Sequence, residues 1–291
     1  MAESEKILFH YTSLEGLLGI IESKSIWATN VLYLNDASEL NYSIQLLGEE
    51  NDNLKDKIPV DSKNLGKFSF FNELIENIDK FISHPYPFGF FVCSFSEEKD
   101  LLSQWRGYCP KGIGFSVGFN LDKLKGCAQE SNCSIILCNY NEEEQKGALR
   151  KLITNISARY DNEIKKISWL GPWGEDEQEL FVDLLMEFIE LAPTFKQPKI
   201  EAEKEWRIIV SRSLKSSKFI KAIRFRPGQS MIVPYIEIPL PTEGDNLIIN
   251  KIVVGPTHEP KLSKASVEML LKSKNVKFDE VQYSTIPYRN W

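Results

Sequence analysis

Phe90-Phe91-Val92-Cys93-Ser94-Phe95-Ser96, followed by Glu97-Glu98-Lys99-Asp100-Leu101-Leu102-Ser103-Gln104-Trp105-Arg106-Gly107-Tyr108 and then by Gly112-Ile113-Gly114-Phe115-Ser116-Val117-Gly118-Phe119, is the stretch that decides the fold. Two apolar runs of strand length bracket a polar segment with helical spacing, so the spacing predicts strand, short helix, strand. The segment between the strands presents Ser94, Ser96, Ser103, Gln104, Trp105, Arg106 and Tyr108. Hydroxyls, an amide, two aromatic faces and a guanidinium suit a flat polar ligand that carries phosphate. An ordinary corner with core aromatics fits the same residues and stays open at this point.

Working outward, Ile7–Tyr11 reads as a short strand, and Thr12 with Glu15 reads as a capping box opening a helix with Leu14, Leu17, Leu18 and Ile21 on one face. Ser25–Thr29 reads as a second strand. Asp36 and Glu39 repeat the capping logic ahead of Leu40, Ile44 and Leu47. Asn51–Lys67 is polar and aperiodic, which predicts a loop or lid, and Ser69–Ser83 returns to helical spacing before His84-Pro85-Tyr86-Pro87 stops it.

After Phe119 the pattern predicts a turn and a strand over Cys133–Tyr140. Asn141 and Glu144 then cap a long helix that runs to Ile167. Gly171-Pro172-Trp173-Gly174 breaks it, and Glu175–Leu191 is again amphipathic. Strands are predicted at Glu205–Ser211, Phe219–Phe225, Met231–Leu240 and Leu247–Val254, with Arg226-Pro227-Gly228-Gln229 as a hairpin turn. A helix near Ser263–Lys274 and a strand near Phe278–Tyr283 close the chain. The expectation is α+β: mixed and antiparallel sheets with flanking helices in a single domain over 1–291, with 141–200 as a helical insertion within it.

Composition narrows the function classes. The 291 residues include 35 Lys plus Arg against 41 Asp plus Glu, a formal net charge of -6, so a globally basic surface for duplex binding is excluded while a local basic groove is not. Hydrophobic content of 42% with 26% charged is globular, and no run approaches the roughly 18 apolar residues of a membrane span. The acidic start MAESEKILFHYTS resembles no signal or transit peptide, so a cytoplasmic protein without a membrane partner is expected. Five cysteines, Cys93, Cys109, Cys127, Cys133 and Cys138, read as reduced thiols, and their spacing matches no zinc site, so no metal is expected.

Three further groups carry chemistry. His10-Tyr11-Thr12 places an imidazole, a phenol and a hydroxyl at one strand end. In Glu203-Lys204-Glu205-Trp206-Arg207, strand alternation sets Glu203, Glu205 and Arg207 on one side and Trp206 and Ile208 on the other. Crowded carboxylates raise one another's proton affinity unless cations relieve them, which is one way a catalytic carboxylate is tuned, although a charged strand edge that resists aggregation has the same pattern. Asn35-Asp36-Ala37-Ser38-Glu39 has the donors to hold a ribose or a metal, and helix capping accounts for Asp36 and Glu39 without any ligand.

Taken together, His10-Tyr11-Thr12, Asn35-Asp36-x-x-Glu39, Cys93-Ser94-Phe95-Ser96, Ser103-Gln104-Trp105-Arg106-Gly107-Tyr108, Gly118-Phe119, Glu203-x-Glu205-Trp206-Arg207 and Ile286-Pro287-Tyr288-Arg289 resemble a bacterial family of domains of unknown function. A more distant resemblance is to the ADP-ribosyltransferase fold. That resemblance implies His10 as the first-strand histidine holding a ribose hydroxyl of NAD, Ser103 as the amide-contacting serine, and Tyr108 or Trp105 as the ring on nicotinamide. It also implies Glu205 as the catalytic glutamate and Glu203 as the auxiliary carboxylate. Tyr11 and Thr12 would join the NAD contacts, and Arg106 would meet the pyrophosphate. Tyr11 stands where that fold usually has a small residue, and Ser94-Phe95-Ser96 is similar to the other subclass of the fold, whose first strand carries arginine.

The resemblance thus implies an enzyme that uses NAD as a cosubstrate and transfers ADP-ribose to a macromolecular acceptor, protein or nucleic acid, as a toxin or phage-defence effector with an antitoxin among its partners. A noncatalytic module that binds nucleotide, RNA or protein through Trp105, Arg106 and Tyr108 is the alternative from a different class.

Overall fold

The register that sets the architecture is that of the chain's central strand, Gly89–Ser96. In the computed structural model this strand pairs antiparallel over its whole length with Glu205–Arg212, from Gly89↔Arg212 to Ser96↔Glu205. The structure describes residues 5–34, 38–57, 67, 71–73, 75–78, 89–109, 114–163, 175–212, 217–228 and 230–287. These divide into two compact units, one built from 1–30, 89–137 and 202–291, the other from 31–88 and 138–201.

The first unit holds every strand found among the described residues: β1 Ile7–Ser13, β2 Ser25–Asn30, β3 Gly89–Ser96, β4 Gly114–Asn120, β5 Ser134–Leu137, β6 Glu205–Arg212, β7 Arg224–Pro227, β8 Ile232–Pro239, β9 Thr242–Glu243, β10 Asn246–Val254 and β11 Lys277–Tyr283. Their order is β11-β10-β4-β1-β3-β2-β8-β7, with β6 on β3, β5 on β6 and β9 on β10. Every pairing is antiparallel except β10 with β11. The α+β class with mixed, mainly antiparallel strands and flanking helices is therefore observed.

Alternation sorts the two faces. Leu8, Phe91, Cys93, Phe95, Val117, Ile208 and Ile252 turn into the main core, while Phe9, Tyr11 and Val253 turn the other way onto Trp105 and Cys109. The glycines in β4 have a packing reason. A Cβ on Gly114 would overlap the Cys109 sulfur at 1.9 Å, and one on Gly118 would meet the Phe9 ring at 2.6 Å.

Several elements differ from the sequence reading for local reasons. Ser13, not Thr12, caps the first helix, Leu14–Ser23, by accepting from the Gly16 amide at 3.2 Å. The expected turn after Phe119 is a helix, Leu121–Glu130. Asn120 caps it by accepting from the Lys123 amide at 3.0 Å, and it buries only Leu121, Leu124 and Ala128, too short an apolar stripe to show as a period. The strand expected over Phe219–Phe225 is a helical turn, Ser217–Ala222, followed by β7; Phe219 packs edge-on against Phe91 with ring centroids 6.1 Å apart.

The second unit is helical. Helices Ser38–Lys55, Glu142–Glu163 and Glu175–Leu191 bury Leu46, Leu47, Leu149, Ile156, Leu184 and Phe188. The first runs past Asn51 to Lys55, so the beginning of the expected loop over Asn51–Lys67 is helix; most of that loop and of the 69–83 helix, together with Asp36, Ile164, Ile167 and Gly171–Gly174, lies outside the described residues. Asn141 caps the second helix as expected, accepting from the amides of Glu143 and Glu144. Fully buried Gln145 donates to the carbonyls of Asn139 and Lys196 and accepts from Tyr42, and Lys196 pairs with Glu39 at 3.0 Å. Glu39 thus has a place in this unit's buried polar network. No helix among the described residues is long and apolar enough to cross a membrane.

Candidate functional site

The edge of β3 is shared by two strands, and that sharing places His10. β1 pairs with β3 through Phe9↔Ser96, and β2 pairs with it at Thr29↔Val92 and Asn30↔Phe91. Residues 93–95 fall in the gap between the two pairings. The Ser94 carbonyl in that gap is satisfied by His10, whose Nδ1 donates at 2.9 Å. A carbonyl oxygen only accepts, so Nδ1 carries the proton and Nε2 of the neutral ring is an acceptor. Burial pulls the His10 pKa below its ordinary value, the bond to Ser94 opposing the shift without reversing it. The imidazole lies 5.7 Å from the Phe95 ring and its Nδ1 3.8 Å from the Cys93 sulfur. Burial, with the Glu205 charge adding to it, pushes the Cys93 thiol well above its usual range and disfavours its thiolate form.

Glu205 opens β6 and is 3% exposed. Its carboxylate accepts from Arg207 Nε at 2.6 Å, and both side chains share the sheet face with their cross-strand partners Ser96 and Ser94. The expected alternation holds for Glu205 and Arg207 against Trp206 and Ile208. Glu203 is not part of it: Lys204 sits in the left-handed region at φ 41, so Glu203 belongs to the preceding turn. That turn is fastened to the end of β3. Ser96 donates to the Glu203 carbonyl at 2.5 Å and accepts from the Glu98 amide at 3.0 Å, and Lys204 pairs with Glu98 at 2.7 Å. Burial opposes ionisation of Glu97, but Lys6, the Trp206 indole N–H and Lys204 outweigh it and hold the carboxyl below its usual range.

The helix Leu102–Tyr108 splits its residues by face. Trp105 is 1% exposed, edge-on to Tyr11 with centroids 4.7 Å apart, and its indole N–H donates to Asp100 at 2.7 Å. Tyr11 is also committed, donating to the Glu98 carbonyl at 2.7 Å and accepting from the Leu101 amide at 3.0 Å. Thr12 lies against Gly16, where its hydroxyl occupies the space a Cβ would take. Gln104 is buried, whereas Ser103, Arg106 and Tyr108 are exposed.

The structure therefore brings Glu205, Arg207, Ser94 and Ser96 together on one face, and Ser103, Arg106 and Tyr108 together on one short helix. It sets His10 on the face opposite Glu205, because directly paired residues share a face and His10 alternates with Phe9, the partner of Ser96. Sequence reasoning missed Asp100. Its carboxylate accepts from Trp105, from the Ser284 hydroxyl at 2.6 Å and from the Thr285 amide at 3.1 Å, tying the helix to the segment after β11. An acidic residue just ahead of a helix carrying Trp and Ser was the available signal. Tyr288 and Arg289 lie outside the described residues. Among the described residues no group of three or more His, Cys, Asp or Glu is arranged to hold a metal ion.

The fold and site define an α+β protein with a buried carboxylate–guanidinium pair at a strand start. Residues 104–208 match the model of a family described as "Protein of unknown function (DUF2971)". The match takes in Trp105, Arg106, Tyr108, Glu203, Glu205 and Arg207, and stops short of His10 and Ser103. It supports a domain-of-unknown-function family. No curated protein matches the chain.

Proposed function

We propose that this protein is an NAD-using, ADP-ribosyltransferase-like enzyme with Glu205 as its catalytic carboxylate. The observation that carries the reading is the register Ser96↔Glu205 and Ser94↔Arg207, which aligns a Ser-x-Ser pair with a buried, cation-bonded glutamate on one face. The reaction breaks the bond between ribose C1′ and the nicotinamide nitrogen, and nicotinamide leaves with the bonding pair as a neutral molecule. Positive charge develops on the ribose, a carboxylate nearby stabilises it, and the acceptor's nucleophile bonds C1′ while its proton passes to Glu205.

Arg207 donates to Glu205 and orients its carboxylate for that role. Tyr108, the exposed ring of the helix, stacks on nicotinamide in place of buried Trp105. Ser103 and Arg106 take amide and phosphate, and His10 offers its acceptor Nε2 to a ribose hydroxyl. The acceptor is a macromolecule, and a toxin or phage-defence role with a cognate antitoxin is the setting in which such an activity fits.

A noncatalytic binding module is the second reading, and the placement of His10 and Glu205 on opposite faces favours it. One experiment separates the two: incubation with NAD and with cell lysate as acceptor source, following nicotinamide by mass spectrometry, for the wild type and Glu205→Gln. Release in the wild type that falls at least about 100-fold in a folded Glu205→Gln variant is expected. No release, or equal release by both, leaves the binding module.

A further inference from the structure

The sheet face of Glu205 continues across the register Thr29↔Val92 onto β2, β8 and β7, and there the chain builds a second polar-aromatic surface. Trp27, Thr29, Tyr235, Arg224 and Arg226 share that face by alternation. Ile26, Ala28 and Ile238 turn into the core instead. The Trp27 and Tyr235 rings stack with centroids 4.4 Å apart at 32°, and Trp27 keeps 38% of its surface exposed. The Arg226 guanidinium lies 6.0 Å from the Trp27 ring and donates through Nη2 to the Thr29 hydroxyl at 3.3 Å. Its buried Nε has no acceptor among the described residues. Arg224, opposite Tyr235, is exposed.

We infer that this β2–β8–β7 face binds single-stranded nucleic acid. The chemistry is specific to that class. An exposed indole backed by a second ring is a stacking platform for a base, and two guanidiniums one strand pleat apart match a phosphodiester backbone. Duplex DNA offers no unstacked base to Trp27, and the chain's formal charge of -6 gives no general attraction for it. The surface is local, since Glu237 stands directly opposite Trp27 at its margin and limits the strand's path to the Arg224–Arg226 side. The platform is distinct from the helix Leu102–Tyr108, whose tryptophan is buried. It stands independently of the NAD reading.

The test is fluorescence anisotropy of labelled 12-nucleotide single-stranded RNA and DNA with the full chain at several salt concentrations. Alongside the wild type run Trp27→Leu, which keeps an apolar cover on Tyr235, and Arg224→Gln/Arg226→Gln, with thermal melting to confirm folding. Trp27→Leu is expected to weaken binding about 10-fold. Loss of two phosphate contacts is expected to make the log Kd against log salt slope shallower by about 1.4. The inference is overturned by no binding of either oligonucleotide up to about 100 µM protein, the weak end of nonspecific affinities. Binding that both folded variants retain unchanged, tighter binding of a duplex, or competition by an acidic peptide at lower concentration than the oligonucleotide overturns it equally.

Discussion

His10 shows how one side chain reports on its surroundings. Its Nδ1–H fills a backbone acceptor that neither β1 nor β2 covers, so it holds the junction of β1 and β3 whatever ligand Nε2 meets. Its folded pKa lies below the ordinary histidine value of about 6.5. As pH falls below that value the unfolded chain takes up a proton that the folded chain refuses, so stability is lost from neutral pH downward until the folded pKa is reached. The expected slope from this residue is at most about 1.4 kcal/mol per pH unit. Urea titrations at several pH values should therefore show a flatter pH dependence in His10→Gln than in the wild type below pH ~6.5; the same slope in both would show that this imidazole is not held neutral. Nothing in the local residue order signals this bond, because Ser94 lies 84 residues away.

Among the elements, the helix Leu102–Tyr108 is only seven residues long, too short to stand alone, and the chain holds it in place by tertiary means. Asp100 accepts from the Trp105 indole, from Ser284 and from the Thr285 amide, while Gly114 and Gly255 leave room for Cys109 and the Trp105 ring. Asp100→Ala orphans a buried indole N–H and two groups of the segment after β11, with an expected loss of about 2 kcal/mol. A lower urea midpoint at unchanged m-value is the readout, and Asp100→Asn, which keeps acceptor oxygen, should lose less. An unchanged midpoint in Asp100→Ala would show that the clamp contributes nothing. The strand–helix–strand order here was legible from apolar runs and helical spacing. Which ring of the helix faces outward was not, because Trp105 and Tyr108 are three residues apart in one helix and only the packing partners of each separate them.

At the scale of the whole molecule, the first unit is assembled from three separate stretches of chain. Within it, β3 pairs with β6, β2 with β8 and β4 with β10, all joining residues more than 100 apart in sequence. A fragment ending at residue 200 leaves those edges bare and lacks nearly half of the main core, including Ile208, Val210, Ile238 and Ile252. Hydrogen exchange of that fragment is expected to leave the amides of β1, β3 and β4 unprotected, and protection there would show that the first strands form a core by themselves. Free cysteines throughout, with Cys93, Cys109 and Cys138 buried, add no covalent link to this assembly; burial pushes the Cys109 thiol up to about 11. By itself the sequence determined the α+β class, most element boundaries and the pairing of Glu205 with Arg207 on one face, because period-2 and period-3.6 patterns are written into local residue order. It did not determine the helix Leu121–Glu130, the turn at Ser217–Ala222, the burial of Trp105 or the split of His10 from Glu205. Those depended on which strands meet across long intervals, and a strand's face acquires meaning only once its partner and register are set.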